Sequence, residues 1–191
     1  MPLKETQALL ALLYTDEGFR EAFFRAPQEC ARQFGLGEAE AETLARIDPG
    51  GVARFADCLK GKRALDARKT LPLTHRALGA RFDKELFAAI SEPPAPGRHR
   101  ADAAALARRL ARLSVEGRAE PVWIGDLARF EMAFVTAGSR RTGVWLRLFR
   151  HPVAQIATQL ARGEAPNARR RPSVGVWLRL FGSRLFYWPE R

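Results

Sequence analysis

Apolar residues in the first ninety positions recur at helical spacing, and each run is closed by a capping residue, a glycine or a proline. An apolar run over residues 6–13 opens the chain. Asp16 is placed to cap a helix that turns Phe19, Phe23 and Phe24 inward and ends near Pro27. Pro27 suits the first turn of a short helix through Phe34, which Gly35 and Gly37 break. A further helix is predicted over residues 38–47. Asp48-Pro49 joins a cap to a first-turn proline, and Val52, Phe55, Ala56 and Leu59 after it follow the spacing of one buried face. Pro72 interrupts the next stretch, and Leu78, Phe82 and Leu86 carry a new stripe. Residues 92–97, EPPAPG, read as a linker. Beyond it, Leu106, Leu110 and Leu113 mark one helix, and Trp123, Leu127, Phe130 and Phe134 mark another that ends before Gly138-Ser139. His151-Pro152 opens a last helix with Val153, Ile156, Ala157 and Leu160 inward.

The pattern changes period in one place. The word GVWLRLF fills residues 143–149 and returns unchanged at residues 175–181. Along each copy Val and the two Leu fall on one face, and Trp, Arg and Phe fall on the other, as in a strand. Two readings of these faces stand. In one, Val144, Leu146 and Leu148 close a core while the Trp, Arg and Phe side holds a guest. In the other, Trp and Phe pack under a helix and Arg reaches out to water. Residues 182–183 read as a tight turn, and residues 185–188 as a third strand. The fold class is therefore mainly α, of the α+β kind: an N-terminal helical bundle over residues 1–92, a linker over 93–100, and helices with a three-stranded antiparallel sheet over 101–191.

Charge sharpens this division. Residues 1–96 carry 14 Lys and Arg against 14 Asp and Glu, whereas residues 97–191 carry 18 basic residues, all Arg, against 7 acidic ones. The whole net charge of +11 thus lies in the second half. Arginine's planar fork suits carboxylates, phosphates and aromatic faces, so an acidic partner is expected there. Part of the bias is also what GC-rich coding produces. Lys4 and Glu5 precede the first apolar run and no signal peptide is recognised, which predicts a cytoplasmic location. No run approaches the roughly 18 apolar residues of a membrane span. Cys30 and Cys58 are expected as buried free thiols.

Residues for catalysis or metal binding do not gather. His75, His99 and His151 lie far apart, with no His-x-x-x-His or Cys-x-x-Cys spacing, no glycine-rich phosphate loop and no nucleophile elbow. Asp126 and Glu131 on one helix read as a solvated pair. Lys60, Lys62, Arg63, Arg68 and Lys69 form either a solvated helix face or a patch for an acidic surface. Arg169, Arg170 and Arg171, in the polar loop before the second repeated strand, are the sharper basic feature.

Several stretches resemble a known family: residues 13–24 (LYTDEGFREAFF), Phe34-Gly35-Leu36, residues 55–59, and residues 71–82 (LPLTHRALGARF). They are similar to the small partner subunits of multinuclear non-haem iron enzymes in ribosomal-peptide modification, of the methanobactin and 3-thiaglutamate types. Residues 126–131 (DLARFE) resemble the LARxE helix of related families once described as DNA-binding domains. The resemblance covers residues 10–90 closely and 120–191 loosely. It implies a chain that is no enzyme on its own and binds no cofactor. The iron is held by a TIM-barrel oxidase partner that acts on a peptide cysteine. The small subunit docks on the barrel and holds the leader of a ribosomal precursor peptide, in part as an added strand.

On that expectation the leader contacts are Val144, Trp145, Leu146, Arg147, Phe149, Trp177 and Arg179, with Arg169, Arg170 and Arg171 beside them. Arg63, Arg68, Lys69, His75 and Arg76 are the expected docking residues for the oxidase. No membrane is involved. The alternative is a winged-helix-like DNA-binding protein, with the helix after His151 offering Gln155, Thr158, Gln159 and Arg162 to a groove.

Overall fold

The computed structural model describes residues 3–90, 98–180 and 184–189. The expected linker at 92–97, the turn at 182–183 and the end of the second strand at Phe181 lie outside the described residues. The described residues form ten helices and one three-stranded antiparallel sheet, a mainly helical α+β protein. None of the helices is long and apolar enough to cross a membrane. The chain divides into two compact units, with the first ending at Arg63 and the second taking residues 64–90 together with residues from 98 onward.

The first unit holds α1 (Leu3–Thr15), α2 (Glu17–Arg25), α3 (Pro27–Gln33), α4 (Glu38–Ala45) and the first turns of α5 (Pro49–Thr70). Its helix starts follow from the caps. The Asp16 carboxylate accepts from Phe19 N at 2.9 Å, and Asp48 accepts from Gly50 N at 3.1 Å and Gly51 N at 2.7 Å. Leu9, Leu13, Phe23, Leu36, Leu44 and Val52 fill its core. The expected stripe on α5 is narrower than its spacing predicted. Val52 and Ala56 are buried, but Phe55 is exposed, with its ring set edge-on to Tyr14 at 4.6 Å. Cys30 is buried as expected, and Cys58 is exposed; both are free.

The second unit is organised around α9 (Ile124–Gly138), which packs against α6 (Pro72–Leu78), α8 (Arg98–Val115), α10 (Val153–Ala161), β1 (Gly143–Phe149) and β2 (Ser173–Arg179). β3 (Phe186–Pro189) completes the sheet in the order β1-β2-β3. Leu78, Phe82 and Leu86, with α7 (Arg81–Phe87) carrying the last two, are buried as their stripe predicted. So are Leu106, Leu110 and Leu113 on α8 and the inward positions of α10.

Glu131 braces this unit. It is buried on α9, where its carboxylate accepts from Leu73 N and Thr74 N, both at 2.8 Å, and from Thr74 Oγ1 at 2.6 Å. It therefore caps the start of α6, whose own N-cap position, Leu71, offers no side-chain acceptor. Burial pushes the Glu131 carboxyl above its ordinary 4.5, against the three hydrogen bonds that pull it down. Glu131 is thus no solvated member of a pair with Asp126.

The repeated word builds β1 and most of β2, and the antiparallel register sets Trp145 opposite Trp177, with each word's Arg facing the other's Gly. The faces are the reverse of the guest-holding reading. Trp177 and Phe149 are buried and Trp145 packs against the core, while Val144, Leu146 and Leu148 point outward. Ring area decides this: an aromatic buries about 150–250 Å², more than a Val or Leu offers, and α9 supplies matching rings. Trp177 meets Phe134 at 5.5 Å, Phe130 at 5.9 Å and Tyr187 at 5.1 Å. Burial in this cluster pushes the Tyr187 hydroxyl up to about 12.

The glycine that opens each word is explained by its tryptophan. In a strand, residues i and i+2 share a face, and the indole lies back over the glycine. A Cβ on Gly175 would stand 2.5 Å from Trp177 Cη2, and one on Gly143 would stand 2.8 Å from Trp145 Cη2. Gly143 also has φ +148°, which a side chain rarely tolerates.

Gly175→Ala is therefore expected to lower stability by about 1–3 kcal/mol through overpacking. Gly138→Ala, at a position with open space around it, should leave urea unfolding unchanged or stabilise by about 0.4–1 kcal/mol. For Glu131 the folded state holds its proton more tightly than the unfolded chain does. Its contribution is full below the ordinary carboxylate range and is lost as pH rises from 4.5 through the raised value. Urea midpoints measured across that window should fall with pH in the wild type, and Glu131→Gln should remove that component of the slope.

Candidate functional site

A β-sheet leaves unpaired amide and carbonyl groups along each outer strand. Among the described residues β1 pairs with β2 alone, and β3 likewise has one neighbour. The two edges are not equivalent. β3 is four residues long and ends in proline, whereas β1 offers seven residues without one. β1 is the longer open margin.

A groove of about 350 Å³ joins the inner side of β1 to the helices. α8 turns Leu106, Leu110 and Leu113 into the core, so its small residues Ala104, Ala107 and Ala111 line the groove together with Arg108. α9 contributes Arg129, Met132, Ala133 and Thr136, and β1 contributes Arg147. Alanine walls leave room for incoming side chains, and the described lining includes three guanidiniums and no carboxylate. Arg129 is anchored: its guanidinium stands 3.5 Å from Asp126 and 5.6 Å over the Phe149 ring. Arg108 and Arg147 have no ion-pair partner among the described residues.

A second hollow, of about 580 Å³, shares Ala111 and Arg129 with this groove and is also lined by Val115, Val122, Asp126, Arg150, His151, Arg169 and Arg170. The two hollows together gather six arginines around one carboxylate. That carboxylate is already engaged. Asp126 Oδ2 accepts from Arg150 N at 2.9 Å and lies 2.8 Å from His151 Nδ1, and both side chains are buried. The corner after β1 is thereby tied to the start of α9. Ser173 Oγ donates to His151 O at 2.6 Å, which ties the same corner to β2. Gly125 lets the helices come this close, because a Cβ there would stand 2.7 Å from Leu110 O and 2.8 Å from Ala111 Cα. Chemically, this is a basic trough suited to carboxylates, next to a strand edge suited to backbone.

The residues expected to meet a guest are distributed as follows. Arg147 reaches the groove, and Arg169 and Arg170 line the second hollow. Arg171 lies in a separate cleft with Pro152, Gln155 and Tyr187. Trp177 and Phe149 belong to the core and are withdrawn from any guest, Val144 and Leu146 lie on the opposite face of the sheet, and the Arg179 guanidinium donates to Gly138 O.

Of the expected docking residues, all but Lys69 are engaged within the fold. Arg63 is buried, Arg68 pairs with Asp83 through two nitrogens, and Arg76 donates to Leu160 O and Ala161 O at the end of α10. His75 sets its ring edge-on to Phe82 at 5.1 Å, and Lys69 is exposed.

Arg108, Arg129 and Arg150 escape a reading of sequence. Arg108 sits between the stripe residues of α8 and reads as an ordinary solvent-side cation. Arg129 sits within the DLARFE word, where its spacing from Asp126 is the only local signal. Set against known proteins, the chain matches no protein-family profile, no curated protein and no solved structure.

Proposed function

We propose that this protein is a non-catalytic accessory subunit. It docks on an iron-dependent peptide-modifying oxidase and holds the leader of the oxidase's ribosomal precursor peptide as a strand added to β1. The observation that supports this best is the arginine-lined, alanine-walled groove running beside the bare edge of β1. An extended guest hydrogen-bonds through its backbone to β1, and its side chains alternate between the two faces of the sheet. Those on the inner side enter the groove, where Arg108, Arg129 and Arg147 receive carboxylates. Those on the outer side extend the apolar face of Val144, Leu146 and Leu148. The iron belongs to the partner, and this chain's part is to bind and orient the peptide.

One observation favours the DNA-binding alternative: Gln155 and Thr158 on α10 and Arg162 at its C-cap are exposed, whereas Val153, Ile156 and Leu160 are buried. Binding of duplex DNA with a steep salt dependence would support it.

The test is titration calorimetry with an acidic leader peptide, together with hydrogen exchange. Arg108→Glu/Arg147→Glu is expected to weaken binding by about 10–100-fold, in keeping with charge-assisted hydrogen bonds of roughly 1.5–3 kcal/mol. Saturating peptide should protect the amides of residues 143–149. Unchanged affinity in the double variant, or protection confined to other elements, would refute strand addition at β1.

A further inference from the structure

Strand addition at β1 makes no use of the second hollow, of about 580 Å³, at the corner where β1 ends. One of its lining residues carries a polar atom that the fold leaves open. His151 is 7% exposed, and its Nδ1 stands 2.8 Å from Asp126 Oδ2. An ionised carboxylate only accepts, so Nδ1 carries the proton and Nε2 of the neutral ring is an acceptor. Nε2 has no hydrogen-bond partner among the described residues. A polar atom on a side chain this buried calls for one. Four arginines line the same hollow, and Arg129 is the one held by a carboxylate, Asp126, at 3.5 Å. The guanidiniums of Arg150, Arg169 and Arg170 have no ion-pair partner among the described residues. Val115 and Val122, 68% and 59% exposed, supply an apolar wall beside these charges.

We propose that this hollow binds a phosphate monoester carried on a small apolar or aromatic body. The proposal stands apart from strand addition and from the accessory-subunit reading. Its volume falls within the roughly 300–1,000 Å³ of small-ligand sites. The valine wall asks for an apolar body, and the guanidinium forks select an oxyanion. The imidazole then selects among oxyanions. A carboxylate near neutral pH is ionised and would set acceptor against acceptor at Nε2, as would a sulfate ester. A phosphate monoester loses its second proton near pH 6 (about), so its monoanion brings a P–OH to Nε2 while its other oxygens take the arginines. The dianion meets a protonated ring with the same number of protons. A phosphodiester has no such proton, so a nucleic-acid backbone does not fit this site as the monoester does.

The experiment is titration calorimetry on the full chain at fixed ionic strength, with phenyl phosphate, phenyl sulfate, benzoate and inorganic phosphate as probes. Phenyl phosphate is expected to bind at least about tenfold more tightly than each of the others. Arg169→Ala/Arg170→Ala, at two exposed positions, should weaken it by at least about tenfold. His151→Asn keeps a donor for Asp126 and removes Nε2, and should narrow the preference for phosphate over sulfate by at least about threefold. Equal affinity for phenyl phosphate, phenyl sulfate and benzoate would overturn the proposal, as attraction by charge alone. So would inorganic phosphate binding as well as phenyl phosphate, unchanged affinity in the double arginine variant, or a preference that folded His151→Asn leaves intact. If circular dichroism shows His151→Asn unfolded, the probe ratios in the wild type and the arginine variant decide. A phosphotyrosine peptide distinguishes the sources of the monoester. Affinity at least about tenfold below that of phenyl phosphate assigns the site to a free metabolite, and equal or tighter binding assigns it to a phosphorylated chain.

Discussion

The burial of Trp177 against Phe130 and Phe134 orients everything outside the core of the second unit. A strand offers two faces, and a shift by one residue exchanges them. With the indoles directed at α9, the aliphatic side of β1 and β2 must face away, and Arg147 must lie on the helix side beside α8. The bare apolar face and the basic groove are thus two results of one packing choice. That choice carries a penalty, because Trp177 Nε1 is buried without a hydrogen-bond partner among the described residues. An unsatisfied donor of that kind costs about 1–3 kcal/mol. The rings gathered around it must offset this, and aromatic pairs add about 0.5–1.5 kcal/mol each beyond their area.

Helix positions were legible because their signals are local. Asp16, Asp48 and the prolines at 27 and 49 mark starts that depend on one or two turns of chain, and the structure places helices at each. The strand repeat was equally plain. What could not be read was which face of the repeat looks inward, since both faces are apolar enough to close a core. The answer lies in Phe130 and Phe134, on the helix that precedes β1, whose stripe says only that they are buried. The same limit hid the acidic side chains. Asp126 and Glu131 look like surface charges on a helix until Arg150 N, His151 and the α6 amides arrive from elsewhere in the chain.

Asp126 shows how a site this basic is kept in one shape. Six guanidiniums around two adjoining hollows repel one another, and flexible side chains would spread apart. One buried carboxylate fixes Arg129 and the backbone of Arg150, while the Phe149 ring supports Arg129 from below. Because Asp126 spends its charge on these neighbours and on His151, little of it reaches the groove mouth. The trough therefore keeps a positive potential even though an acid lies at its base.

An open strand edge and an open apolar face on the same sheet are both hazards for an isolated chain. Bare edges pair with other edges, and apolar patches associate. Proteins that work alone blunt such features with lysine, proline or a covering helix, and β3 shows one such device in its short length and terminal Pro189. β1 has none: seven residues, no proline, and aliphatic side chains standing outward. The arginines of the groove beside β1 oppose pairing with a second copy of that edge while still admitting acidic ligands. Under the accessory-subunit proposal the open edge has a purpose, because the peptide completes it. A chain acting alone on a small molecule would not need such an edge.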